Sequence, residues 1–101
     1  MGRHADTEEL LRRHRAEIAT LAERHGAGNV RLFGSAARGE DRDGSDIDLV
    51  VTWRDGTSLT DWVAFQQALE ALLGRRVDVV SERSLHWYIR DKILAEARPL
   101  P

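Results

Sequence analysis

The chain has no cysteine, and its only two prolines, Pro99 and Pro101, stand at its end. Without thiols there is no disulfide framework and no thiolate metal site, and a reducing compartment is comfortable. No apolar run is long enough to span a bilayer, and the opening Met-Gly-Arg-His-Ala-Asp lacks the apolar core of a secretory signal. A cytoplasmic protein with no membrane partner is expected. An excess of either charge is lacking too. Fifteen basic residues against seventeen acidic ones leave a net charge of −2, which argues against a dedicated polyanion-binding surface, so no direct nucleic-acid partner is expected. There is no repeat, low-complexity stretch or linker, and 101 residues suit one domain (residues 1–101) around one core.

What the chain does have is concentrated in its middle. Phe33-Gly-Ser-Ala-Ala-Arg-Gly39 is followed by a polar loop through Ser45 and then by Asp46-Ile-Asp-Leu-Val-Val51. Alternate side chains of a strand share a face, so Asp46 and Asp48 point one way and Ile47, Leu49 and Val51 the other. Two carboxylates aimed at one point repel each other and lose hydration, which normally implies a cation between them. Gly34 lacks a Cβ, so its backbone can come close to a phosphate, and Ser35 offers a hydroxyl and an N–H. The arrangement suits Mg²⁺ held against nucleotide phosphates, with Asp46 and Asp48 bridging two ions. Gly-Ser is common in ordinary turns, but here the aspartates run straight into an apolar segment, where unpaired carboxylates are costly.

Hydrophobic periodicity places the motif among three helices and three strands. A helix from Thr7 to His25 carries the stripe Leu11, His14, Ile18, Leu21 and Ala22 and stops at Gly26. Strands are expected over Asn29–Phe33, Asp46–Trp53 and Val77–Val80. A second helix runs from Ser58 to Leu73, with Asp61 three residues after Ser58 in capping-box position and Gly74 as the stop. A last helix, Leu85–Ala97, carries Leu85, Ile89, Ile93 and Ala97 at four-residue steps, with Ser84 as its cap and the prolines as its exit. The fold class is therefore α/β or α+β, a small mixed sheet covered by helices. Asp78, between Val77 and Val79, points away from its apolar neighbours. If its strand lies beside the second, all three carboxylates meet, and Asp78 could complete the ion next to the nucleophile.

The Gly34-Ser35, Asp46-x-Asp48 pattern on a strand–turn–strand resembles the minimal nucleotidyltransferases of the DNA polymerase β superfamily. The likeness extends over nearly the whole chain, including Arg75-Arg76-Val77-Asp78-Val79-Val80 and the ending Ile89-Arg-Asp-Lys-Ile-Leu-Ala-Glu-Ala-Arg98. The resemblance implies a polymerase-β-like palm, catalytic and metal-binding roles for Asp46, Asp48 and Asp78, and nucleotide-binding roles for Gly34, Ser35, Arg38 and Gly39. Ala36 stands where relatives often have a second basic residue. Such proteins usually pair, as antitoxins, with a HEPN-type toxin ribonuclease in a hetero-oligomer, and active members are implied to transfer AMP from ATP to a toxin tyrosine. The alternative is an antitoxin that neutralises by binding alone. Small-molecule modification ranks last, because the antibiotic-modifying relatives need a further domain.

The remaining candidates are weaker. Arg12, Arg13 and Arg15 read as a solvated helix face rather than a nucleic-acid stripe. His4, His14, His25 and His86 show no metal-ligand spacing. Trp53, Trp62 and Tyr88 are expected mostly in the core. Trp87 falls off the last helix's stripe, which makes it a candidate partner contact.

Overall fold

The computed structural model describes residues 3–42 and 45–101, without the side chains of residues 3–6. Asp43 and Gly44 of the motif loop, and the side chain of His4, lie outside the described residues. Where one helix was expected there are two, α1 (Arg3–Arg13) and α2 (Arg15–His25). They meet at His14, whose φ of −103° and ψ of 14° depart from helical values. His14 N–H still bonds the Leu10 carbonyl at 3.2 Å, and Ile18 N–H bonds that of His14 at 2.9 Å. The junction is thus a bend, and it keeps Leu11, Ile18 and Ala22 buried on one side.

Next come β1 (Ala27–Phe33), the one-turn helix α3 (Gly34–Arg38), β2 (Ile47–Trp53), α4 (Leu59–Leu73), β3 (Val77–Ser81), a 3₁₀ turn at Glu82–Ser84, α5 (Trp87–Glu96) and β4 (Arg98–Pro99). The strands form one mixed sheet in the order β3-β2-β1-β4, parallel between β2 and β3 and antiparallel elsewhere. The expected class holds, with a fourth strand added. That strand escapes the sequence because its prolines read as a terminator, yet a proline is tolerated on an edge strand, where no ladder N–H is needed.

Leu32, Ile47, Leu49, Val51, Val77 and Val79 bury one face of the sheet against Leu11, Ile18, Phe65, Leu69 and Leu73. Val50 is fully buried outside that cluster, on the opposite face. Helix α4 starts as its sequence predicts. Ser58 Oγ accepts from Asp61 N–H at 3.2 Å, and the Asp61 carboxylate accepts from Ser58 N–H at 3.0 Å. Its residues 62, 66 and 70, at four-residue steps, serve the outer border of β3. Trp62 Nε1 donates to the Val79 carbonyl at 2.8 Å, while Gln66 and Glu70 accept from Val79 and Val77 N–H at 3.1 and 3.0 Å.

Helix α5 is the element least like its expectation. Its cap is His86, whose side chain accepts from Tyr88 N–H, and not Ser84. None of its residues is buried, and Ile89 of the expected inner stripe is 47% exposed. Tyr88 is also on the surface, as is Trp87 at 71%. Trp53 and Trp62 pack partly buried against the core.

Candidate active site

Three local structures bring the motif residues to one end of the sheet. The first is a bulge in β1. Gly28 faces Thr52 but Arg31 faces Val50, so one extra residue is inserted around Asn29, which takes a φ of +47°. The shift sets Leu32 against Leu49 and Phe33 against Asp48, and the turn that follows therefore begins beside Asp48. The second is Gly34 itself, at a φ of +76°. A Cβ there would run into the Asp48 carboxylate, so glycine is required both by conformation and by the acid's position. The third is the parallel β2–β3 pair, in which Asp48 and Asp78 are direct partners and so project from the same face.

Asp48 senses the other two acids. Burial pushes Asp48 up to about 6, and the charges of Asp78 and then Asp46 push the same way, against the opposing pull of Arg38. Asp46, just ahead of β2, is exposed and lies 4.0 Å from Arg76. Asp78 is exposed as well. Among the described residues no three His, Asp or Glu side chains are drawn into a ready metal cage. Their chemistry nonetheless fits a divalent ion: all are oxygen donors, and Asp48 pays for its neighbours' charge in raised proton affinity.

The nucleotide-side residues divide. The Ser35 hydroxyl makes no hydrogen bond among the described residues. Gly39 is the left-handed cap of α3, at a φ of +73°, and its N–H bonds the Ala36 carbonyl at 3.2 Å. That N–H is turned into the helix end, which makes Gly39 a stop for α3 in this structure. Arg38 is held by Glu40 at 3.0 Å and by both oxygens of Glu96 at 3.1 Å. The Gly34 N–H donates to Glu96 as well, at 3.0 Å.

Sequence reasoning missed Glu96 and the network under the motif loop. Glu96 lies 62 positions from Gly34, and no periodicity reports such a contact. Beneath the loop, Thr7 donates to the buried Asp41, and Arg75 donates to Thr7 Oγ1 at 3.2 Å and to the Ser45 carbonyl at 2.6 Å. Arg75 therefore fixes the peptide preceding Asp46. The weaker candidates resolve into structural roles. Arg12 pairs with Glu9 and Glu8 at 3.3 and 3.7 Å, and His14 with Glu17 at 2.8 Å. His25 packs at a tilt against Phe65 with ring centroids 6.0 Å apart.

Known proteins share this architecture. The nucleotidyltransferase domain family matches residues 11–100. The protein adenylyltransferase MntA of Thermococcus cleftensis is 38% identical over 91 residues, 90% of this chain and 89% of its own. A solved protein provisionally assigned as a minimal nucleotidyltransferase superposes with a TM-score of 0.84 at 50% identity, over 92% of this chain and 95% of that one. A toxin–antitoxin crystal structure with AMP-PNP gives a TM-score of 0.72 at 25% identity, over 85% of this chain and 71% of that one. No helix among the described residues is long and apolar enough to cross a membrane. With its Gly34 turn set against register-paired aspartates, and matched from Leu11 to Leu100, the chain belongs to the nucleotidyltransferase domain family and is a nucleotidyltransferase of the minimal type.

Proposed function

We propose that this chain is a nucleotidyltransferase-type antitoxin that moves AMP from ATP onto a hydroxyl, a tyrosine, of a HEPN-type toxin partner. The observation that carries the reading is the register pairing of Asp48 with Asp78 beside Gly34 and Ser35. The adenylyl group and the toxin partner are supported by the relatives: one is a protein adenylyltransferase, and another occurs in a toxin–antitoxin complex with an ATP analogue.

Asp46, Asp48 and Asp78 would hold two magnesium ions, which when bound lower the pKa of an attacking hydroxyl and steady departing pyrophosphate. Ser35 donates its hydroxyl to a phosphate oxygen. Arg38 offers a guanidinium suited to paired phosphate oxygens. Asp78, more exposed than Asp48, would take the acceptor's proton. The attacking oxygen is thereby lined up opposite the leaving group, and positioning with charge stabilisation supplies most of the acceleration.

The test is mass-detected transfer from ATP to the purified partner with Mg²⁺. Wild type should label it, and Asp48→Ala should lose at least about 100-fold in rate. Equal labelling by the two proteins removes the reading. One observation favours the alternative of neutralisation by binding alone: Arg38 and the Gly34 N–H are already engaged by carboxylates. A variant with Asp46, Asp48 and Asp78 all changed to Ala separates the two. Full neutralisation of the toxin by that variant at equal expression would favour binding.

A further inference from the structure

The turn between β1 and α3 already holds an anion of the chain's own. Glu96, the last residue of α5, accepts from Gly34 N–H and places both carboxylate oxygens 3.1 Å from Arg38 Nη1. These donors are among those assigned above to the phosphates of a nucleotide. Carboxylate and phosphate satisfy a guanidinium and a backbone N–H in the same way. We propose that Glu96 is an internal stand-in for phosphate, which nucleotide must displace, and that its displacement loosens the C-terminal end of α5. The proposal rests on the nucleotide-site reading and adds to it an occupant that competes.

Charge supports competition over cooperation. Glu96 adds to the field that raises the Asp48 carboxyl, so it belongs to the same negative neighbourhood as Asp46 and Asp78. A polyphosphate entering beside a Glu96 that stayed in place would meet a like charge at hydrogen-bond range. Arg38 keeps a carboxylate partner without Glu96, because its Nε donates to Glu40 at 3.0 Å. No residue of α5 is fully buried, and only Ile93, Leu94 and Glu96 are half-buried. The Glu96 contact fixes the helix's last turn together with the half-buried Ile93 and Leu94, while the pairing of Arg98 and Pro99 with β1 anchors the segment that follows.

The experiment measures binding of Mg²⁺ with AMP-PNP by calorimetry to wild type, Glu96→Gln and Glu96→Ala, each confirmed folded by its melting curve. Glu96→Gln removes the charge but keeps an oxygen that can accept from Gly34, and it should bind about tenfold tighter than wild type. Hydrogen exchange gives a second readout. Nucleotide should speed amide exchange in the last turn of α5 in wild type, and have little effect in Glu96→Ala, where that turn is already released. Binding by wild type that Glu96→Gln leaves unchanged or weakens overturns the stand-in role and leaves the nucleotide site intact. Absence of binding by all three proteins overturns the nucleotide site itself, and this inference with it.

Discussion

Asp48 is the residue on which the site turns, and its raised proton affinity makes it testable in solution. Its carboxyl moves from an ordinary 3.8 to about 6 because it is half-buried among like charges. A group that binds its proton more tightly when folded costs stability when ionised. The cost is fully present above about pH 6, fades as pH falls toward 4, and is absent below. Asp48→Asn should therefore stabilise the metal-free protein at pH 7.5 by about 1 kcal/mol, allowing for solvent screening, or a melting point higher by about 5 °C. The gain should vanish near pH 4, and transfer activity should be lost throughout. A melting difference that does not change with pH would show that Asp48 ionises as an ordinary surface acid. Gly34→Ala acts at the same place through sterics. Its left-handed φ and the oncoming Asp48 carboxylate predict at least about 1–3 kcal/mol of destabilisation, read in urea, together with loss of transfer. The same substitution at Gly39, where a Cβ meets nothing within 4 Å, should cost only the strain of its φ.

At the scale of elements, local chemistry was readable wherever the signal was local. The Ser58–Asp61 box, the glycine stops after α2 and α4, and the alternation of Asp46, Asp48 and Asp78 against buried valines and isoleucine all lie within a few residues of one another. Ser58→Ala should cost about 1 kcal/mol by thermal melting without changing transfer, since the cap is remote from the acids. The elements that sequence missed are those decided at long range. The bend at His14 serves burial of a stripe that a straight helix would also display, and the bulge at Asn29 is fixed by which residues must face β2. Helix α5 was misjudged for a related reason. Four-residue spacing cannot say whether an apolar face meets the body or stays bare, and in α5 Ile89 stays bare. Trp87 and Tyr88, both 71% exposed, then stand free for a partner. Trp87→Ala should weaken binding of the proposed toxin partner by at least about tenfold, in keeping with exposed aromatic anchors, while leaving the melting point within a degree or two. Unchanged affinity would remove α5 from the interface.

For the molecule as a whole, the site is a joint between distant parts of the chain. Glu96 bonds Gly34 across 62 positions, and Arg75 bonds Thr7 across 68. Metal should draw the joint tighter, because an ion favours ionised carboxylates and so competes with protons. Melting-point gains on adding Mg²⁺ should be full at pH 7.5 and should shrink as pH falls through about 6. A gain that persists at pH 5 would place the ion away from Asp48. The sheet's borders carry one more consequence. One is occupied by Trp62, Gln66 and Glu70, and the other is a two-residue strand ending in proline. At the residues named, both borders are blunted against pairing with a foreign strand. Addition of a foreign strand there is disfavoured, and even when concentrated the protein should resist growing into fibrils.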